Sequence, residues 1–288
     1  MASDPFPPIR SLGPADLERC CEMSTQANWN QTARDWEYLF EHALTYGVDL
    51  PDRGLMGTAV AWPISPRRAW INMVLVDEDC RGQGLAKAMF EACLSDLKAK
   101  GIIAFLDATE MGARVYRKFG FKESNELVRL KGNAAQLQEA QSAKGAISGG
   151  TSDDLEAMTR LDEEVLGGNR GSFLQRLLTE APALSFCHRD ESNEPDGFAL
   201  GRHGRAATQI GPVIASELAD AQALILTAAE SIDGTVYLDV PIVATELKEW
   251  LLARGFEIER SFLRMGLDGG EIATDWSRYY AIAGPDYG

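Results

Sequence analysis

The chain of 288 residues is 45% hydrophobic and 25% charged, with a formal charge of −15. That mixture excludes a disordered, collagen-like or coiled-coil chain, and the length suggests about two domains. Residues 1–144 hold 17 Lys and Arg against 19 Asp and Glu, and residues 145–288 hold 11 against 24, so a basic nucleic-acid footprint is absent. No window approaches ~18 consecutive apolar residues, so no membrane span or membrane partner is expected. The opening MASDPFPPIR lacks the basic-then-apolar pattern of a secretory signal. The five scattered cysteines, Cys20, Cys21, Cys80, Cys93 and Cys187, suit reduced thiols. Both features point to the cytoplasm. His42, His188 and His203 are isolated, so no metal site is expected.

In chain order, Ile9–Leu12 reads as a short strand, and Pro14-Ala15-Asp16 opens a helix to about Gln26. A second helix is expected over Gln31–Tyr46. Two strands follow, Gly54–Trp62 and Ala69–Val76, joined by a turn over Pro63–Arg67. Gly84–Lys100 is the clearest helix, with Leu85, Ala88, Met89, Ala92, Cys93 and Leu97 on one face and Gly101 as its stop. Ile102–Asp107 is a strand, Glu110–Phe119 a helix, and Phe121–Leu130 a strand or hairpin. Lys131–Lys144 is polar and small and reads as a linker with some helix.

A second cycle starts at Ile147. Thr151 and Asp154 form a capping box for a helix that Gly167-Gly168 end. Strands near 183–189, 196–203 and 205–213 lead to a helix near 216–231. A strand at 235–240, a helix near 245–254 and paired strands at 256–267 complete the cycle. Leu106-Asp107 runs through a helix to Gly120-Phe121, and Leu238-Asp239 runs through a helix to Gly255-Phe256. One fold is therefore expected twice.

The stretch that carries chemistry is Val74-Leu75-Val76-Asp77-Glu78-Asp79-Cys80-Arg81-Gly82-Gln83-Gly84-Leu85-Ala86-Lys87. A strand meets a Gly-rich corner that opens a strong helix. Glycines let backbone amides approach an anion, and the helix N-terminus adds unpaired N–H groups and partial positive charge, which together suit a diphosphate. A Walker loop is excluded, because Ala86-Lys87-Ala88 replaces its Gly-Lys-Ser/Thr ending. A dinucleotide fingerprint would use Gly82, Gly84 and, on the next strand, Asp107 for a ribose, but Lys87 stands where a third small residue belongs.

The pattern Arg81-x-x-Gly84-x-Ala86 after a Val-x-Val strand resembles the acetyl-CoA loop of the GNAT superfamily of N-acyltransferases. Thr109 to Phe121 resembles the second CoA motif of that family, a helical Tyr ahead of a Gly-Phe strand start. Glu78 replaces the usual Pro and Thr109 the usual Asn. The resemblance covers about residues 9–130. It implies an α/β chain (α+β in some schemes) of tandem GNAT-like folds, each a mixed, mostly antiparallel twisted sheet flanked by helices. Residues 1–131 would be the catalytic domain, 132–145 the linker, and 146–288 a degenerate second domain.

The resemblance also implies a site. Acetyl-CoA is the expected cosubstrate. Val74, Leu75 and Val76 would bond its pantetheine arm, and Arg81, Gly82, Gln83, Gly84, Leu85, Ala86 and Lys87 its diphosphate. An amine would attack the thioester directly, with an amide near Leu75 stabilising the oxyanion. Tyr116 would contact the cofactor and protonate the departing thiolate; a phenol with pKa near ~10 keeps its proton at neutral pH. Asp107 and Glu110 are candidate bases, each with a plainer role at the start of the Tyr116 helix. Asn28, Trp29, Trp36 and Tyr38 are acceptor-pocket candidates, with packing as the alternative. Cys80 and Cys93 suit packing, since no His partner lies in the motif. In the second half, Leu251 stands at the position of Tyr116, and Gln209–Ser216, with one Gly and a Pro, replaces the cradle. That domain is expected to bind no CoA. The aromatic stretch Trp276–Tyr287 is expected to cross the domain junction. The reading is an N-acetyltransferase acting on a small primary amine. The alternatives are transfer to a protein lysine or N-terminus, and a CoA-binding regulatory module without turnover.

Overall fold

The computed structural model describes residues 7–138, 146–270 and 272–288. Most of the expected linker, 139–145, and the first six residues lie outside the described residues. The chain forms two compact units, with the boundary between Phe105 and Leu106.

In the first unit, β1 (Ile9–Arg10), α1 (Leu17–Gln26) and α2 (Ala33–His42) precede β2 (Leu44–Leu50), β3 (Gly54–Ser65), β4 (Arg68–Val76) and α3 (Leu85–Ala99). The start of β5 (Ile103–Ala108) closes the unit. The sheet order is β1-β2-β3-β4-β5, antiparallel except for the parallel β4–β5 pair. α3 packs on β2, β3 and β4 through Leu85, Met89, Phe90, Cys93 and Leu97. Fully burying each large apolar side chain there contributes roughly 1.5–3 kcal/mol.

The expected helix over 31–46 is corrected: it stops at His42, and Leu44–Leu50 is a strand. Ala43 is already extended, and Thr45, Tyr46 and Val48 favour the pleated surface of β3. Gly47 lets Leu12 cross this strand closely, because a Cβ there would stand 2.3 Å from the Leu12 side chain. The β3–β4 turn is also shorter than expected, since Pro63 pairs with Ala69 and Ser65 with Arg68.

The second unit continues with α4 (Glu110–Tyr116), β6 (Phe121–Asn133), α5 (Ala135–Gln138), β7 (Ile147–Gly149), α6 (Leu155–Leu166) and α7 (Gly171–Glu180). Then follow β8 (Phe186–Arg189), β9 (Pro195–His203), β10 (Thr208–Ile214), α8 (Leu218–Ala229), β11 (Thr235–Pro241), α9 (Thr245–Leu252), β12 (Glu257–Leu267) and β13 (Tyr279–Ala281). The strand order is β12-β6-β11-β10-β9-β8-β7, with β13 beside β10. Val128 and Leu130 of β6, Leu224 and Ile225 of α8, and Val236 and Leu238 of β11 share one core.

The second unit corrects one expectation and adds two features. Residues 256–267 form no hairpin; β12 is a single strand, and its partner is β6. β6 lies between β12 and β11, pairing Arg129 with Asp239 and Leu130 with Leu238. α7 was not anticipated, although Phe173, Leu174, Leu177 and Leu178 carry a helical apolar spacing and are all buried. The Thr151–Asp154 capping box is present, and Gly167 ends α6 in the left-handed conformation.

Candidate functional site

β4 is bent before it reaches the Gly-rich corner. Thr58 pairs with Leu75 and Val60 with Asn72, so Ala59 alone faces Met73 and Val74. That two-against-one count is a β-bulge. Met73 takes φ 51°, and its carbonyl accepts a hydrogen bond from Thr58 Oγ1 at 2.8 Å. The ladder to β5 stops at Trp70–Phe105, while β4 runs on to Val76. Val74 and Val76 are half-buried and Leu75 is buried.

In the turn after β4, Asp77 and Asp79 are each paired with an arginine. Asp77 is buried, accepts from the Asp79 amide at 3.1 Å, and pairs with Arg19. Burial pushes the Asp77 carboxyl up, but Arg19 and the hydrogen bonds to it outweigh that and hold it below the ordinary value. Arg53 reaches Asp79 at 3.3 Å, and Arg81 Nε donates to the Val76 carbonyl at 3.3 Å. Arg81, Gly82, Gln83 and Gly84 are all exposed.

Gly82 and Gly84 have φ 77° and 84°, the left-handed region that favours glycine. A Cβ on Gly82 would meet nothing within 4 Å. α3 begins without a side-chain cap and without an acidic residue in its first turn. Its N–H groups and the positive end of its dipole therefore face outward with no carboxylate from that turn to satisfy them. Leu85 is buried as the first anchor of the helix, Ala86 half-buried, and Lys87 exposed, 3.7 Å from Glu91. These residues fit an anionic diphosphate. Among the described residues, no cluster of His, Cys, Asp and Glu suits a metal ion.

In the second unit, the Thr109 hydroxyl accepts from the Gly112 amide at 3.3 Å and starts α4. Tyr116 ends this helix, half-buried. Its ring lies 6.1 Å from that of Phe121, and a Cβ on Gly112 would approach its edge to 3.3 Å. Gly112 thus leaves room for the phenol.

The two candidate bases differ sharply. Asp107 accepts two hydrogen bonds from Arg264, at 2.9 and 2.8 Å, and its side chain is fully buried. Burial pushes that carboxyl up and the Arg264 charge opposes the shift. The two-point geometry is that of an ion pair. Glu110 is 63% exposed and lies 3.5 Å from Arg114 and 3.9 Å from Arg117.

The acceptor candidates also divide. Trp36 is completely buried, and its indole N–H donates to Ser24 Oγ at 3.0 Å, so it is a core residue. Tyr38 is buried edge-on against Trp62 at 6.0 Å. Asn28, at φ 58°, is exposed and Trp29 half-buried. Cys80 and Cys93 are buried, and burial pushes the Cys93 thiol up to about 12. A protonated, buried thiol is a poor nucleophile.

A second pair of the Asp107–Arg264 kind lies nearby in the second unit, unforeseen from the sequence. Asp239, also fully buried, accepts from Arg129 at 2.8 and 2.8 Å. Arg129 stands eight residues after Phe121, and Arg264 eight after Phe256. The available signal was this recurrence of Arg after each Gly-Phe, next to the recurrence of Leu-Asp.

Comparison with known proteins settles the family. A model described as "Acetyltransferase (GNAT) family" matches residues 15–121, and one described as "Acetyltransferase (GNAT) domain" matches residues 158–281. The chain belongs to the GNAT acetyltransferase superfamily. It carries two such domains. It is 26% identical over 186 residues to a Bacillus subtilis (strain 168) protein named "Uncharacterized N-acetyltransferase YitH". That match spans 65% of each chain, so just under two thirds of the relative's length is covered. A putative acetyltransferase from Pyrococcus horikoshii has the same fold over 100% of this chain and 99% of its own, with TM-score 0.79 and 19% identity. A tandem GNAT protein from the clavulanic acid biosynthesis pathway aligns over 92% of this chain and 99% of its own, with TM-score 0.64 and 12% identity. The mixed, mostly antiparallel sheet with flanking helices is therefore the tandem GNAT architecture. No helix among the described residues is long and apolar enough to cross a membrane.

Proposed function

We propose that this chain is an acetyl-CoA-dependent N-acetyltransferase that acts on a small primary amine. The observation that carries the reading is the start of α3: two left-handed glycines, no cap, no acidic residue in its first turn, at the end of a bulged strand. An anionic diphosphate satisfies the amides of residues 82–87 at that place. Residues 1–131 make the catalytic domain, 132–145 the linker and 146–288 the degenerate partner. The protein works in the cytoplasm.

Acetyl-CoA supplies an activated thioester. The main chain of Val74 and Val76 binds the pantetheine arm, and an amide near Leu75 stabilises the oxyanion. Arg81 adds charge at the corner. The amine nitrogen bonds to the thioester carbon, the C–S bond breaks, and Tyr116 delivers its phenolic proton to the leaving sulfur. Of the two base candidates, Glu110 takes the amine proton through water, because its carboxylate reaches solvent. Asp107, held at two points by Arg264, is a positioning residue. Asn28 and Trp29, the two acceptor candidates that reach the surface, contact the amine.

The test follows thiol release from acetyl-CoA across a panel of small amines and amine-bearing peptides. Small amines should give turnover, and Tyr116→Phe should lower kcat by about 10²-fold or more with acetyl-CoA binding retained. Glu110→Gln should lose a comparable factor. Turnover with peptides alone would replace the acceptor class. Binding without release from any amine would replace the enzyme reading with a regulatory one.

A further inference from the structure

The parallel ladder between β10 and β11 has two pairs, Thr208–Val236 and Gln209–Tyr237. Beyond them β10 continues to Ile214 and β11 to Pro241. The first domain does the same: its parallel ladder has three pairs and ends while β4 continues. In the second domain a strand of this chain joins both sides of the opening. Val213 pairs with Ala281 and Ile214 with Tyr279, and the Ile282 amide donates to the Asp239 carbonyl at 2.9 Å. The Ala215 amide donates to the Arg278 carbonyl at 3.1 Å.

We infer that segment 278–288 is a built-in occupant of the second domain's cofactor slot, so that domain takes no acyl-CoA and each chain binds one. This rests on reading the β4–β5 opening as the pantetheine slot. The segment bonds β10 through its main chain, as an extended pantetheine would bond β4, and also bonds β11 across the opening. Arg170, fully buried, donates through Nη1 to the carbonyls of Tyr287 and Gly288, both at 2.6 Å. It donates through Nη2 to the Tyr279 hydroxyl at 3.0 Å, and that hydroxyl donates to the Gly288 carbonyl at 2.7 Å. Asp162 balances the guanidinium from two oxygens, and the Tyr287 ring stacks on Phe173 at 4.3 Å.

Two further observations agree. Gly211 is shaped to the segment, since a Cβ there would stand 2.0 Å from the Ile282 carbonyl oxygen. The turn that would hold the diphosphate has also gone. Eight residues separate β4 from α3, Asp77–Gly84, but only three separate β10 from α8, Ala215–Glu217. Glu217 stands at the N-cap of α8 and Asp220 in its first turn. Two carboxylates thus stand at the positive end of that helix, Asp220 with His188 at 3.4 Å, where the first turn of α3 has none, and they disfavour a phosphate there.

Hydrogen exchange of the intact chain, read by mass spectrometry with and without saturating acetyl-CoA, tests this beside calorimetric stoichiometry. The amides of 279–282 should exchange within about threefold of those in β10, unchanged by acetyl-CoA, with one acetyl-CoA bound per chain. Gly211→Ala should speed exchange at 279–283 by about tenfold or more while β8 and β9 keep their protection. Exchange of 279–282 at the rate of an exposed segment, acceleration by acetyl-CoA, or two bound molecules per chain would overturn the inference. No binding at all would remove the acetyl-CoA reading of the first domain, and the exchange of 279–282 would still decide whether the segment holds the opening.

Discussion

Replacing Asp239 with Asn strands a buried charge. Asp239 neutralises Arg129 through two hydrogen bonds of 2.8 Å and also accepts from Gln209 Nε2 at 3.1 Å. The Arg129 side chain is 10% exposed and that of Asp239 0%. Removing one partner of such a pair costs about 3–5 kcal/mol, because the other charge stays out of water. Arg129 keeps the faces of Tyr237, at 4.7 Å, and Phe262, at 5.4 Å, which place the loss near the lower end. A loss of about 3 kcal/mol lowers the midpoint of a domain this size by roughly 6–12 °C. Replacing both partners, Arg129→Met with Asp239→Leu, should recover part of that loss, since neither charge is then buried, with the buried Gln209 amide left unpaired at a cost of about 1–3 kcal/mol. Thermal and urea melts followed by circular dichroism give the three midpoints. A loss under about 1 kcal/mol in Asp239→Asn, or a double variant weaker than the single, would refute the reasoning.

Two other outcomes follow from the same chemistry. Cys20, Cys93 and Cys187 are buried with thiols pushed up to about 12, and Cys80 is buried too, whereas Cys21 is half-exposed. A thiol reagent at pH 8 should therefore label one cysteine in the native chain and five in denaturant; rapid native labelling of Cys93 would contradict the packing described here. Arg10 holds the Asp16 carboxyl below its ordinary value of 3.8. Arg19 does the same for Asp77, and Arg189 for Asp154, in each case against burial. These groups stabilise the fold fully above about pH 4, and that stability drains as pH falls below it, because the unfolded chain then binds more protons. Urea midpoints should drop between about pH 4 and pH 2, and a flat profile there would count against these pairs.

Local signals carried most of the fold. Gly84–Lys100 was legible because apolar spacing, an N-terminal Gly and a terminal Gly101 agree. The Thr151–Asp154 box was legible because both partners sit within one turn. Strand β2 was not, because Leu44-Thr45-Tyr46 continues the apolar spacing of α2 and only pairing with β1 and β3 makes it a strand. Pairing was the deeper blind spot. Residues 256–267 read naturally as a hairpin, yet β12 pairs with β6, a partner more than a hundred residues away. Periodicity reports which face is buried and carries no information about which strand is adjacent.

The site divides the same way. The glycines at 82 and 84 were legible because a left-handed backbone favours that residue type. Trp36 was left open between pocket and packing, because an indole on a helical stripe looks alike whether it lines a pocket or fills a core, and its burial favours packing. Arg264, which occupies Asp107, and segment 278–288, which fills the β10–β11 opening, act across long sequence separations.

The central claim is that the corner ahead of α3 holds the diphosphate of acetyl-CoA. Calorimetric titration of acetyl-CoA into the parent chain and into Gly82→Asp tests it most directly. Asp is one of the few side chains that visit the left-handed backbone, at some strain, and its Cβ meets nothing within 4 Å, so the fold should survive. Its carboxylate faces the diphosphate at close range, which at an effective dielectric of about 20–80 costs roughly 1–4 kcal/mol. Affinity should fall by about tenfold or more, and raising the salt should narrow the gap. Equal affinity in the two proteins would place the anion elsewhere and contradict the account.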